Sequence, residues 1–537
     1  MLRLALLLSG TVALWAPQVH AAAGAKQSQE PVFGGVIRVA INSDIRSTNP
    51  GVRRDGNTDT VLYHIGESLV AYREDLSVGP LLASRIEISE DHRTFTFFLR
   101  QGVRFHNGAE LTSEQVKWTW DRLLDPETGF RCLDYYDGSG ASGLKIESVD
   151  ILGRYKIAFR LNKPSALFLD RMASIPCQTP ILHPESVAPD GSWRRPVATG
   201  PYRLGEWDRG KSVTLLRFDG YVPRSEPRNG LTGKKIAYAD RLVFQVTPDR
   251  IIAKSSVYAG NIDLLFAMPL SAHNEVQRRV EQRGDVKIYH QDTLDWTVLL
   301  MQTKDPLLSD VRMRRAIAHA ISTEMVTTFA TYGLAPPNPS AIARATRFWR
   351  PYYGQWLSYD PELARELARE AGYEGQVLTI QANRKFSYML DNAVAIQAML
   401  NAAGFNARIE VYDWATQLTR FLNGDFQLSS FGYSARSHPA LLYGNFTGSK
   451  EVRESYQWDD PLAIRLIEKL ETAFTDAETR KILDRLHREM IRQVPIIGLY
   501  NDHVIDISRA NLHGYEPWAF GRPRLWGVWI SHAGAGR

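Results

Sequence analysis

Between His92 and Pro126 the hydrophobic pattern changes period twice. Phe95, Phe97 and Leu99 alternate with more polar neighbours, the two-residue period of a half-buried strand. Gln101-Gly102 interrupts the run, Val103 and Phe105 resume it, and His106-Asn107-Gly108 is a turn. Thr112, with Gln115 three positions on, predicts a capping box that opens a helix through Val116, Trp120 and Leu123. Asp125-Pro126 stops that helix, because proline lacks the N–H and clashes with the preceding turn. The stretch predicts a β-hairpin followed by an amphipathic helix.

Elsewhere the pattern predicts strands over 145–152, 155–161, 213–218, 241–246 and 296–302. Helical segments alternate with strands in the second half. Asp360 as N-cap, Pro361 at the first helical position and Gly372 past the end delimit one helix, with Leu363, Leu367, Ala368 and Ala371 as its apolar face. A second helix spans 391–403, ends at Gly404 and feeds a strand over 407–412. A further strand is expected over 426–433. Such alternation argues for α/β lobes with mixed sheets. At 537 residues the chain is too long for one core and implies two or three domains. Repeats, low-complexity tracts and Pro/Ser-rich tethers are absent from it.

The N-terminus changes where this chain is expected to work. Arg3, the apolar run from Leu4 to Trp15 and Val19-His20-Ala21 have the layout of a secretory leader over residues 1–21, with cleavage before Ala22. The run is shorter than the ~20 apolar residues a membrane span needs. No cysteine lies beside the cleavage site, so a lipid anchor is not expected and the reading is a soluble periplasmic monomer. Loss of Arg3 takes the formal net charge from +5 to +4, too mild an excess for nucleic-acid binding, which needs clustered basic patches. The densest basic cluster, Arg312, Arg314 and Arg315, reads as a solvated or carboxylate-paired helix face. In an oxidising compartment the only two cysteines, Cys132 and Cys177, suggest one disulfide; two buried thiols are the alternative.

Catalytic motifs do not emerge. Gly138-Ser139-Gly140-Ala141-Ser142-Gly143 fits a dinucleotide fingerprint in letters only, since strand-like residues follow it where a helix is required. Gly432-Tyr433-Ser434-Ala435-Arg436 starts as a nucleophile elbow but lacks the closing glycine. The thirteen histidines are scattered without metal-ligand spacing. No metal and no cofactor is expected.

As strings of residues, several segments resemble the family 5 extracellular solute-binding proteins, the oligopeptide, dipeptide, nickel and opine receptors of ABC importers. His92–Pro126 is similar to their signature region. Gly34–Ala40 with Thr48-Asn49-Pro50 resembles the first strand and loop, and Thr199–Leu204 with Trp207 and Gly210 the central motif. Pro306–Ile321 and Tyr359–Tyr373 resemble two family helices. These matches follow family order from about residue 34 to 520.

The resemblance implies a two-lobe periplasmic binding protein fold (type II-like, cluster C). Lobe I would comprise 34–77, 195–292 and 503–537, with an extra subdomain at 78–194, and lobe II would be 293–502. The chain would cross between them near 292–298 and 494–504. It also implies capture of a peptide-like or anionic solute for an inner-membrane ABC permease with separate ATPase subunits, or, within the same family, of an opine or metal chelate. A secreted hydrolase using the same cleft is the competing class. Trp414 and Tyr433 match pocket tryptophans of the oligopeptide receptors, core aromatics being the alternative. Arg436 falls where the peptide receptors carry an amine-binding aspartate, and an arginine there would grip a carboxylate or phosphate. A solvent-facing loop residue is the other reading. Arg384 adds to this positive region. On the opposite wall, Asn49 belongs to a loop facing the cleft, and Tyr135 and Tyr136 lie where the subdomain supplies an aromatic contact.

Overall fold

A computed structural model describes residues 30–140 and 142–531; the leader expected over residues 1–21 lies outside them. A ten-stranded mixed sheet organises most of the chain. Its order is Asn406–Tyr412, Val377–Asn383, Leu428–Tyr433, Val286–Met301, Ile496–Arg509, Leu264–Met268, Val36–Ile41, Arg241–Val246, Ser212–Arg217 and Tyr202–Asp208. The two central strands are the longest, at 16 and 14 residues, and each serves two neighbourhoods. Val286–Asp292 pairs with the 503–509 end of its partner, which also pairs with Leu264–Met268. Trp296–Met301 pairs with Leu428–Tyr433 on its other edge. The ladder between the long strands breaks between Asp292 and Trp296, inside the first expected crossing. The chain therefore crosses twice, side by side, between two sets of strands.

Packing explains why the crossing is held. Trp296 is fully buried and its indole N–H donates to the Asn338 carbonyl at 3.1 Å. Gly498 lies beneath it: a Cβ there would fall 2.5 Å from the indole ring and 2.4 Å from the Pro339 carbonyl oxygen. Any larger residue would push the second long strand off the first.

Residues 83–161 contribute a separate four-stranded antiparallel sheet, ordered Ala83–Ile88, Thr94–Leu99, Lys156–Leu161 and Ile146–Gly153. The hairpin expected within 94–105 is not formed. Thr94–Leu99 pairs instead with Ala83–Ile88 and Lys156–Leu161, while Val103 and Phe105 turn back on Leu111 and Ala109 in a small loop. Both residues are buried, so the alternation reported burial correctly but not the pairing partner. The capping box is present: Thr112 caps the helix Ser113–Leu124 and Gln115 reaches back to it. That helix lays Trp120 against Phe159 and Tyr136, each ring centroid 5.1 Å away. Truncating such a fully buried tryptophan costs about 3–5 kcal/mol.

The helix Pro361–Glu370 starts at the Asp360 cap, and Gly372 takes the left-handed conformation that ends it. The next helix is Ser387–Ala402, beginning four residues before the expected start. The 138–143 segment is a loop before a strand, as its context required; Ala141 lies outside the described residues. No helix among the described residues is long and apolar enough to cross a membrane.

Candidate functional site

The break in the central ladder exposes polar groups that a continuous ladder would not. Thr293, Leu294 and Asp295 bow away from the partner strand, and side chains and loops take up their hydrogen bonds. The Thr293 hydroxyl donates to the Asp502 carbonyl at 3.0 Å, Asn501 Nδ2 to the Asp295 carbonyl at 3.2 Å, and Leu294 N–H to the Ala519 carbonyl at 2.9 Å. The bow brings two carboxylates to the crossing. Asp295 accepts the Ala435 N–H at 2.5 Å, and Asp502 accepts the Thr297 hydroxyl at 2.6 Å.

Burial is the main reason that both carboxyls titrate above the ordinary range. For Asp502 the neighbouring Asp295 charge adds to the rise, and the Thr297 hydrogen bond opposes it. For Asp295 the guanidinium groups of Arg522 and Arg436 pull the other way. No ion pair within 4 Å closes on either carboxylate among the described residues. The Tyr388 hydroxyl completes the group, raised by burial and then by Asp502 and Asp295. It lies so close to Gly432 that a Cβ there would approach it to 2.6 Å.

Arg436 is partly buried. Its Nη1 donates to the Ser434 and Ala435 carbonyls at 3.2 and 3.0 Å, and its Nε is buried without a partner. Arg522 approaches from the other set of strands, against Gly56, and its field reaches Asp59 as well. The crossing thus gathers two carboxylates, two guanidinium groups and a phenol without direct neutralisation among them.

The other expected site residues divide. Trp414 opens the helix Trp414–Leu422 after the Asp413 cap and is half-buried, 5.0 Å from Phe386 and 5.7 Å from Phe431. Arg384 is exposed. Tyr433 is 8% exposed, with its hydroxyl donating to Gln457 at 2.6 Å and its ring between Trp296 and Phe446. Tyr433 thus packs as a core aromatic of the second set of strands, the alternative reading of that position. Tyr136 is fully buried against Trp120 and Phe130. Its neighbour Tyr135 is half-buried at the edge of the same core. Asn49 is buried, and its side-chain oxygen accepts from Arg122 at 3.2 Å, so it ties its loop to the Ser113–Leu124 helix and does not face the crossing. Cys132 and Cys177 are bridged, with Cα atoms 5.8 Å apart.

Asp295, Asp502, Arg522 and Tyr388 were not singled out from the sequence. A signal for the first two was available, since each interrupts an apolar run within a stretch expected to cross between lobes. A separate groove of about 460 Å³ lies beside the crossing, lined by His290, Gln291, Asp292, Arg344, Ala345, Trp349 and His503. No group of three or more His, Cys, Asp or Glu side chains suited to a metal forms among the described residues.

Comparison with known proteins places this architecture. A family model described as "Bacterial extracellular solute-binding proteins, family 5 Middle" matches residues 77–452. The chain belongs to this family. The glutathione-binding protein GsiB of Salmonella paratyphi A is 24% identical over 380 residues, covering 70% of this chain and 69% of that protein. Among solved structures, DppA of Helicobacter pylori in complex with the peptide STSA superposes with a TM-score of 0.77 at 24% identity, over 93% of this chain and 98% of the other. AgaA of A. tumefacien R10 with agropinic acid gives 0.76 at 22% identity, over 93% and 99%. The fold is therefore that of the two-lobe binding proteins, and the family is one of solute receptors, not of enzymes.

Proposed function

We propose that this protein is a periplasmic receptor of an ABC importer, and that its solute is peptide-like, with an anionic group held at Arg436 and an ammonium held at Asp502 and Asp295. Lobe I (34–77, 195–292 and 503–537, with the subdomain 78–194) and lobe II (293–502) close over it, pivoting where the long strands cross. The closed form docks on an inner-membrane permease, whose ATPase subunits drive release and transport. A solute drives closure only through its higher affinity for the closed form, which contacts made to both lobes supply.

The observation that carries this reading is the charge arrangement at the crossing. Arg436 on lobe II and Arg522 on lobe I flank two half-buried carboxylates that no cation closes on. A zwitterionic guest would supply both missing partners at once. The relatives named for peptides and glutathione support the class, since such molecules carry both charges.

Mass spectrometry of the solute released by denaturing the purified protein tests the proposal. A peptide or other molecule with at least one anion and one ammonium is expected. A released solute lacking both groups would overturn it.

A further inference from the structure

The crossing strands are not the only junction between the lobes. Residues 165–171, ending in the short helix Phe168–Met172 of the subdomain, meet residues 471–474 of lobe II, which follow the helix Pro461–Leu470. Arg171 grips Glu471 through two parallel hydrogen bonds, Nη1 to Oε2 at 3.0 Å and Nη2 to Oε1. Nη1 also reaches the Ser165 hydroxyl at 3.3 Å, and the Ala166 N–H donates to the Glu471 carbonyl at 2.7 Å. Beside them His92 stacks on Phe474, ring centroids 3.7 Å apart. The Arg171 and Glu471 side chains are 5% and 13% exposed.

Such a junction has two states. Made, it satisfies a desolvated fork-to-fork ion pair. Broken, it returns both charges and both rings to water. Half-made, it would leave a buried charge unpaired, which is strongly unfavourable. Its partners lie 300 residues apart in sequence and make no contact with the charged cluster at the crossing.

We propose that Arg171–Glu471, with His92 on Phe474, is a latch that holds the lobes together without solute, so that the empty protein is already largely closed. The inference rests on the two-lobe closing motion proposed above. It adds that part of the closing free energy is built into the chain and is not supplied by the guest.

Small-angle X-ray scattering of the full chain, stripped by unfolding and refolding, tests it. Glu471→Ala should raise the radius of gyration of the stripped protein. The charge-swapped pair Arg171→Glu/Glu471→Arg should return it to the parent value, which a merely misfolded variant would not do. The solute extract released from the purified parent should bind Glu471→Ala about two- to tenfold more weakly, because less of the protein starts in the competent state. A stripped Glu471→Ala that scatters as the stripped parent does, or a swap that fails to recover, overturns the latch. If the parent still contracts when given the extract, only the latch falls. If neither contracts, the closing motion falls with it.

Discussion

The Ala435 N–H donates to the Asp295 carboxylate at 2.5 Å, which fastens the loop carrying Arg436 to the first crossing strand. The loop follows the strand Leu428–Tyr433, so the guanidinium is positioned by a sheet on one side and by the crossing on the other. Its remaining freedom is the side chain, which bonds back to its own loop carbonyls and leaves Nε without a partner. A guest anion is the partner this arrangement can accept.

Arg436→Ala should therefore remove most binding of the released solute. Leaving a desolvated anion unpaired costs about 2–5 kcal/mol, roughly 30-fold to several-thousand-fold in affinity. The melting temperature of the stripped protein should hardly move, since the side chain makes only local backbone contacts. Calorimetric titration alongside thermal melts checks both. Unaltered affinity would show that the arginine serves the loop alone.

The carboxylate pair gives a pH dependence with a definite sign. Asp502 and Asp295 are raised above their unfolded values, first by burial. The folded protein therefore holds more protons than the unfolded chain above the usual carboxylate value of about 4. Their contribution to stability is fullest in acid and is lost as pH rises toward neutrality. Asp502→Asn keeps an oxygen for the Thr297 hydroxyl and abolishes the ionisation. Urea unfolding should show the variant gaining on the parent between about pH 4 and about pH 7.5, while its affinity for the released solute falls. Equal displacement of the two midpoints at both pH values would contradict the assignment.

The two buried tyrosines give a matched pair of tests. Tyr136→Phe removes a buried hydroxyl that has no partner, and the change should be neutral or stabilising by up to about 1 kcal/mol. Tyr433→Phe leaves the buried Gln457 oxygen without its donor and should cost about 1–3 kcal/mol. Neither should change solute affinity appreciably, because both rings are packed in cores, Tyr136 against Trp120 and Phe130 and Tyr433 between Trp296 and Phe446. A clear loss of binding in either variant would restore it to the pocket.

The elements legible in the sequence were those decided locally. The Thr112–Gln115 capping box, the Asp360-Pro361 start and the Gly372 stop each depend on residues within a few positions, and each forms as read. Burial of Val103 and Phe105 was legible too, but the partners of Thr94–Leu99 were not: the expected hairpin looked forward, whereas the strand pairs back with Ala83–Ile88 and across to the distant Lys156–Leu161. The same limit governed the site. Trp414 sits at a helix start that its own neighbours announce. Asp295, Asp502, Arg522 and Tyr388 come together only because two strands cross and a distant helix start and a distant loop close on them. Tyr433 and Tyr136 were ambiguous in the sequence because an aromatic next to a turn looks alike whether it faces a cleft or a core, and only the surrounding rings show what it packs against.

The disulfide is the remaining local feature with a global consequence. Cys132 and Cys177 are 45 residues apart in sequence and both buried, at 7% and 2% exposure, in the core shared by Trp120, Tyr136 and Phe168. The bridge ties the turn holding Tyr135 and Tyr136 to the segment after the Phe168–Met172 helix, which carries Arg171 of the latch. In the chain-entropy account, opening a loop of this size releases about 3–4 kcal/mol of constraint on the unfolded chain. Cys132→Ser/Cys177→Ser should lose about that much stability, with amide exchange quickening first in the subdomain strands Thr94–Leu99 and Lys156–Leu161. Titration of the unfolded, unreduced parent should find no free thiol. Two titratable thiols would refute the bridge. A double variant as stable as the parent would mean that packing of the aromatic core, and not the covalent link, fixes this part of the subdomain.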